Sequence, residues 1–478
     1  MGPQEGQISP DLSYPRRIHV VAIGGAGMSA IATVLKQQGH QVTGSDQAES
    51  EVLVRLNALG ITTSVGHSSS HVADAEFLVV STAVDPRNVE LVEAACLGIP
   101  VLRRIDLLPA LARLQPFISV SGTHGKTTTT SMLAVALIGA EADPSFLVGA
   151  QVTSLGVSAA YQSGRHFVLE ADESDGSFLA GPRAAALVTN IEPDHLEFWG
   201  GWEQLLNGFR KFLGETDGPC VVCADDPVAA QIGAEFDAAS YGCSQEAGYR
   251  MTDLQLGSQS CSFTLSTPKE SSQTGLQVDV RLAVPGLHNA TNAAGALALV
   301  GELGYSIKDA ADSLIGYQGV SRRFEQRGFV AGVHFVDDYA HLPTEIRAAL
   351  AAAKSGDWNR VVAVFQPHRY SRTQLLLEEF ADAFTQADLL VLTEIYAAGE
   401  QPRPGVTGRL FFDAVRRAHP ESQIIWCEDL DEAARYLGQE LASGDLCLSL
   451  GAGSVTTLAD LVAPILDDRA DPMTEQTR

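Results

Sequence analysis

Apolar runs of strand length alternate with helical patterns along most of this chain, the arrangement expected of α/β layers around parallel sheets. The opening run RIHVVAIGG predicts a strand, residues 27 to 38 a helix, and HQVTGSD a second strand. EFLVVSTAV (76 to 84) predicts another strand, and VEAACLGIPVL a helix, turn and strand. From Leu107 a short helix runs into a proline break at Pro116, which sets a first boundary near residue 113. PFISVSGTHGKTTTTSMLAVALIGA then reads strand, loop, helix, while HFVLEADESD and AALVTNIEPDHLEFW read as strands ending in polar clusters. Residues 239 to 285 alternate like antiparallel strands, and PGLHNATNAAGALALVGELG returns to a helix. A third unit begins near residue 319, with strands expected at FVDDYA, RVVAVFQ, ADLLVLTEI, QIIWC and DLCLSL. The polar tail after about Asp467 reads as disordered, and no short-period repeat is found.

The length of 478 residues fits three domains, placed at 1–113, 114–318 and 319–478. Acidic residues outnumber basic ones 58 to 32, a formal charge of −26 that argues against general nucleic-acid or membrane binding. Any anionic substrate must therefore meet a local concentration of the few cations. Seven scattered cysteines suit reduced thiols rather than a disulfide framework. Cys220 and Cys223 sit in the apolar run CVVC with no second pair downstream, so they read as core rather than zinc ligands. The start MGPQEGQISPDLSYP has no apolar signal core and no long apolar run follows, which predicts a cytoplasmic protein.

Polar and glycine clusters recur at strand carboxyl ends, at Gly24, Gly122, Glu170, Asn190, Asp337, Gln366 and Gly451. Ligands of open parallel sheets bind at those ends. The first cluster, Gly24-Gly25-Ala26-Gly27-Met28, lets a backbone approach phosphate oxygens at a helix N-terminus, or else serves only tight packing. Asp46 ends the next strand at the spacing where a carboxylate meets a ribose, so the naive reading is a dinucleotide site. Arg103 and Arg104 are candidate donors to a diphosphate, or solvated surface arginines.

The sharpest signal is SVSGTHGKTTTTSML. Backbone N–H groups of Gly122, Thr123, His124, Gly125, Lys126, Thr127 and Thr128 wrap phosphate in such a loop, Lys126 adds a point charge, and the Thr127 hydroxyl suits Mg²⁺. It is not a full Walker A, because Val120 stands where the first glycine belongs. Glu170 and His195 close later strands and complete a candidate metal shell; a lone His195 also reads as a satisfied core residue. Asp172, Glu173 and Asp175 in ADESD read equally well as a solvated turn.

GTHGKTTTT, EADESD, TNIEPDHLE, HNATNAAGA, RRFE, DDYAH, QPHRYSRT and YAAGEQPRPG follow one another in that order. Together they closely resemble the Mur ligase family, over about residues 17 to 460. The resemblance implies a Rossmann-like domain for a UDP-sugar, a central P-loop ATPase-like domain with extra antiparallel strands, and a C-terminal Rossmann-like domain for an amino acid. It replaces the dinucleotide reading of the first glycine turn with a uridine diphosphate. It implies that Lys126 meets the transferred phosphate and that Thr127, Glu170 and His195 hold magnesium. Asn289 and Asn292 match the family's nucleotide-side asparagines, Arg323 its phosphate-side arginine and Asp338 its ribose carboxylate. His341, Arg369 and Arg372 are the candidates for the amino acid. Asn289 also suits a helix N-cap, Asp337 reads equally as the end of its strand, and the arginines also suit the surface.

The implied reaction is ATP-dependent joining of L-alanine to the carboxylate of UDP-N-acetylmuramate through an acyl phosphate, in cytoplasmic peptidoglycan precursor synthesis. The alternative is a sister ligase that adds a tripeptide or another amino acid. Lys126, His195, Arg323 and His341 are the expected catalytic groups, and a monomer or weak homodimer the expected state. Two departures matter. Several sister ligases carry a carbamylated lysine where Phe209 stands here; the alanine-adding branch likewise lacks that lysine, which supports the assignment, and DDYAHLP has Leu342 in place of a second histidine. An NAD-dependent oxidoreductase leaves the phosphate loop without a use, and a nucleotide switch would release phosphate without any amino acid.

Overall fold

The computed structural model describes residues 10–81, 83–268 and 275–470. The chain divides into two compact units, Met1–Leu254 with Phe263–Arg281 and Thr291–Tyr317, and Gln255–Ser262 with Leu282–Ala290 and Gln318–Arg478.

The first sheet holds β1 (Arg17–Val21), β2 (Gln41–Asp46), β3 (Thr62–Val65), β4 (Phe77–Val80) and β5 (Val101–Arg103) in the order β3-β2-β1-β4-β5. All its pairings are parallel. Chain order reverses beside β1, which makes its carboxyl end a switch point open to a ligand. The helix Ala26–Gln37 covers the sheet with Met28, Ala30, Ile31, Ala32, Val34 and Leu35. EFLVVSTAV yields only the four residues Phe77–Val80 of strand.

The second sheet contains β6 (Phe117–Ser121), β7 (Ser145–Val152), β8 (Val157–Ala160), β9 (Phe167–Glu170), β10 (Arg183–Val188), β11 (Cys220–Cys223), β12 (Ala239–Gly242), β13 (Tyr249–Leu256), β14 (Cys261–Ser266) and β15 (Gln277–Leu282). Their order is β15-β14-β13-β12-β11-β10-β6-β9-β7-β8, so β6 lies between two later parallel strands and again ends at a switch point. The helix Lys126–Gly139 follows β6 and buries all its residues from Thr127 to Leu137. Two of its hydroxyls find partners in the interior, Thr130 donating to Lys126 O at 2.7 Å and Ser131 meeting the Tyr317 hydroxyl at 2.6 Å, while Thr129 Oγ1 is buried without one. The expectation of antiparallel strands from residue 239 needs correction, because β12 runs parallel to β11 and to β13. The helix Pro227–Ala234 bridges β11 and β12, and such a crossover returns the chain parallel. CVVC is β11 itself, with Cys223 buried.

The third sheet has β16 (Glu325–Val330), β17 (Val333–Asp338), β18 (Val361–Phe365), β19 (Leu389–Leu392), β20 (Ile424–Trp426) and β21 (Leu446–Leu450) in the order β16-β17-β21-β18-β19-β20. Only the edge strand β16 is antiparallel to its neighbour. The tail is ordered further than its polarity suggests. The helix Leu458–Ala470 passes Asp467 because Val462 and Leu466 are buried and Arg469 donates to the carbonyls of Gly438, Gln439 and Leu441. Residues 471–478 lie outside the described residues. No helix among the described residues is long and apolar enough to cross a membrane.

Candidate functional site

In the first unit, β1 delivers its chain into a glycine turn. The Gly24 N–H donates to Asp46 Oδ2 at 2.9 Å, so the two sequence candidates meet directly. A Cβ on Gly24 would stand 2.9 Å from that oxygen, and one on Gly27 would stand 3.3 Å from Arg104 Nη1. Gly25 precedes the helix, Ala26 opens it, and buried Met28 offers only its backbone to a ligand. Arg104 thus lies against the turn. Arg103 is turned onto Asp106, with Nη2 at 3.2 Å from a carboxylate oxygen.

The loop after β6 is shaped by two left-handed glycines, Gly122 at φ +132° and Gly125 at φ +80°. A Cβ at Gly122 would overlap the Thr189 hydroxyl and come within 2.8 Å of Asn190 O; one at Gly125 would come within 2.7 Å of Asn292 Oδ1. The neighbouring strand end fixes the loop. The Thr123 and His124 amides donate to Asn190 O and Asn190 Oδ1 at 3.0 and 2.8 Å. Thr189 Oγ1 donates to His124 O at 2.6 Å, and His124 Nε2 lies 3.2 Å from Glu192. Thr128 is buried in the first helical turn.

Lys126 curls back over this loop. Its Nζ donates to Gly122 O at 2.8 Å, Thr123 O at 3.2 Å and Glu173 Oε1 at 3.0 Å. Burial disfavours the ammonium, but Glu173 and Asp172 outweigh it and hold the lysine proton more tightly than usual. Burial also pushes Glu173 up to about 7, against the pull of Lys126. Asp172 is opposed by burial too, yet Lys126, the Ser174 contacts and His195 keep its carboxyl below the ordinary range. ADESD is therefore not a solvated turn at Glu173, which is only 2% exposed.

Thr127 Oγ1 donates to Glu170 Oε1 at 2.8 Å, and Glu170 Oε2 accepts the Gly149 amide at 2.6 Å. His195 occupies a left-handed turn, φ +54°, with Nε2 at 3.3 Å from Asp194. A hydroxyl and a carboxylate thus meet at the loop's first helical turn, oxygen donors that fit a hard divalent cation, while His195 acts on the charge of neighbouring Asp172. Phe209 is fully buried, packed edge-on to Phe178 at 5.2 Å, so its position belongs to the core.

In the second unit, Asp338 ends β17 and is almost enclosed. Its two oxygens accept the amides of Phe324 and Ala340, both at 2.8 Å, and burial pushes it up to about 6 despite Arg323. Asp337 is likewise internal, accepting from Ser449 at 2.7 Å and Thr456 at 2.8 Å. Arg323 Nη1 stands 3.7 Å from Glu345 and over the Tyr339 ring. Burial drives His341 down to about 4, so the ring is neutral, with Nδ1 at 2.9 Å from Tyr339 O. Glu345 joins these two, because it also accepts the His341 amide at 2.9 Å. His368, not singled out in the sequence, stacks on Tyr396 and lies 3.2 Å from Arg372. Arg369 adopts φ +70° and anchors its amide on Tyr396 O at 2.9 Å. Leu342 is buried at the head of the helix Pro343–Lys354. Asn289 is no N-cap: it lies inside the helix Leu287–Glu302 and donates to Pro285 O at 2.6 Å.

Asn190, marked in the sequence only as a polar strand end, proves to be the residue that fixes the glycine loop. Glu173 and Glu345 carried no signal that separates them from solvated carboxylates.

Three consecutive family patterns match the chain: Mur ligase family, catalytic domain, at residues 17–116; Mur ligase middle domain at 120–300; and Mur ligase, glutamate ligase domain, at 322–453. The UDP-N-acetylmuramate–L-alanine ligase of Geobacter sp. (strain M21) is 44% identical, covering 92% of this chain and 95% of that protein. The protein of the same name from Cutibacterium acnes is 42% identical, covering 95% and 96%. The crystal structure of the Thermotoga maritima UDP-N-acetylmuramate-alanine ligase is similar with a TM-score of 0.80 at 28% identity, over 95% of this chain and all of that one. A murein peptide ligase from Psychrobacter arcticus shares the fold, with a TM-score of 0.69 at 22% identity over 95% and 99% of the two chains. This chain belongs to the Mur ligase family.

Proposed function

We propose that this chain is an ATP-dependent ligase that joins L-alanine to the carboxylate of UDP-N-acetylmuramate, releasing ADP and phosphate. The carrying observation is Lys126, a buried ammonium kept charged inside a glycine loop whose next residue, Thr127, is bonded to Glu170. Relatives at 42 and 44% identity over nearly the whole length bear the alanine-ligase name, which favours alanine over a tripeptide.

A carboxylate is a poor electrophile, so it is first phosphorylated; the alanine amine then attacks the acyl phosphate and expels phosphate. In this reading the first glycine turn, Asp46 and Arg104 bind the UDP-sugar within residues 1–113. The loop from Gly122 to Thr128, with Asn292, binds ATP within 114–318. Thr127, Glu170 and His195 hold Mg²⁺, which when bound neutralises phosphate charge. Lys126 exchanges its carbonyl and Glu173 contacts for the oxygens of the transferred group, where charge develops. Asn289, Arg323 and Asp338 also serve the nucleotide. His341, Arg369 and Arg372 orient alanine, with neutral His341 offering a nitrogen lone pair to the amine. Orientation of this kind contributes up to about 7–11 kcal/mol to such a barrier. The setting is cytoplasmic peptidoglycan precursor synthesis.

The test is ADP release by the purified chain with ATP, Mg²⁺, UDP-N-acetylmuramate and one acceptor at a time. Release that needs both the UDP-sugar and L-alanine, with oxygen passing from the sugar carboxylate into phosphate, is expected. Preference for a tripeptide, or release without any amino acid, overturns the assignment.

A further inference from the structure

The first sheet buries a carboxylate that none of the functions above uses. Glu90 opens the helix Val89–Leu97 behind the N-cap Asn88, and its side chain is fully enclosed. A carboxylate in a first helical turn is favoured by the helix dipole, but nothing in that explains its company. Oε1 lies 2.7 Å from His71 Nδ1 and 3.6 Å from His19 Nε2. Oε2 accepts from Ser45 Oγ at 2.6 Å and lies 3.0 Å from His67 Nδ1. Burial works against this charge, yet contacts from His19, Ser45 and His71 hold the acid down at about 2.

His19 supplies the second observation. It is 1% exposed, its Nδ1 is engaged by Thr43 Oγ1 at 2.8 Å, and its Nε2 is buried without a hydrogen-bond partner. That nitrogen faces Glu90 across a gap too long for a hydrogen bond. In the tautomer whose Nδ1–H donates to Thr43, Nε2 turns a lone pair toward the Glu90 carboxylate in a dry interior, an arrangement that a cation between them would satisfy. The ligating atoms of His19, His71 and Glu90 all fall within 4.8 Å of one another. Tetrahedral ligands of zinc, bound at about 2.0 Å, stand about 3.3 Å apart, so the 3.6 Å gap to His19 fits and the His71 contact opens by a few tenths of an ångström.

We propose that His19, His71 and Glu90 form a binding site for a divalent metal of the zinc class, with His67 as the fourth neighbour. Two imidazoles and a carboxylate are a zinc set rather than a magnesium one. The Thr43 hydroxyl orients His19 in the way outer-sphere partners orient metal-bound histidines. The ion ties β1, the turn Ser69–Val72 and the helix Val89–Leu97 to one point. His67 also lines a pocket with Asp46 and Asn88, so the ion sits behind the wall of the cleft assigned to the UDP-sugar. The site itself does not depend on that assignment.

The experiment uses the full chain stripped with a chelator, titrated with ZnCl₂ against a chromophoric competitor, and separately with CoCl₂. One equivalent of zinc is expected, together with the intense visible absorption of four-coordinate cobalt. His71→Ala and Glu90→Gln should each weaken zinc at least 100-fold, and Thr43→Val about tenfold. Should Glu90→Gln fail to fold, His71→Ala carries the test, since that ring is partly exposed. Zinc held equally well by His71→Ala, or no stoichiometric zinc in the parent chain, overturns the proposal and leaves a proton-bridged cluster.

Discussion

Replacing Glu173 by Gln keeps the shape of the side chain and removes its charge beside Lys126. Glu173 is 2% exposed, so solvent screens it little. Its acid rises from 4.5 to about 7, a shift of 7 − 4.5 = 2.5 units. At 1.36 kcal/mol per unit this is about 3 kcal/mol of pH-dependent stability. The folded acid binds its proton more tightly than the unfolded one. Its contribution is therefore fully present below pH 4.5 and is lost as pH rises through 7. Glutamine has no such loss. The stability of Glu173→Gln relative to the parent should climb from pH 5 to pH 7 by about 1.4 kcal/mol per unit and flatten above. Urea unfolding at half-unit pH steps, without nucleotide, reads this slope. A difference that is flat, or that falls with pH, would refute the claim that burial governs this carboxylate.

Lys126→Ala should lower kcat by at least about 10²–10³-fold, as loss of a transition-state donor does, while the melting temperature moves by only a few degrees; steady-state kinetics and calorimetry decide it. Gly122→Ala places a Cβ against Asn190 O at a φ of +132°, so it should cost about 1–3 kcal/mol in urea unfolding and weaken ATP binding. Arg104→Ala should raise KM for the UDP-sugar tenfold or more, whereas Arg103→Ala, whose guanidinium is held by Asp106, should change it less than twofold. Asp338→Asn turns an acceptor toward an amide donor and should destabilise by about 1–3 kcal/mol at pH 8; a variant as stable as the parent would sink the bracing role given to Asp338.

Legibility followed the range of the interaction. Gly122, Gly125, Lys126 and Thr127 were readable because their geometry is set within a few residues, by a strand end, two left-handed glycines and a helix start. Sheet order carried further, since strand–helix alternation forces parallel crossovers, and it placed Glu170 and Asn190 at strand ends beside the loop. What local sequence left open was non-local. Glu173 reads equally as a turn residue until Lys126 folds back onto it, and nothing near Asp338 in sequence shows that the amides of Phe324 and Ala340 brace it. Arg103 and Arg104 are adjacent and identical in sequence; only a helix start with Asp106 at its third position turns one away from the glycine turn.

The same non-local contacts explain why an acidic protein can hold a polyphosphate. The loop's ammonium is surrounded by Glu170, Asp172 and Glu173, so its net field is not simply positive. Two things offset this. Burial raises Glu173 to about 7, so it gives up its proton later than an ordinary carboxylate and opposes an incoming phosphate less. Glu170 is held by Thr127 and the Gly149 amide, which keeps it in the place proposed for a cation ligand. A loop with only lysine would bind any anion; one whose lysine is countered by carboxylates binds a phosphate chain well only when a divalent cation comes with it. On the proposed function, selectivity for a metal-bound nucleotide would follow from the acidic residues that EADESD places after β9, where a basic segment would accept any anion.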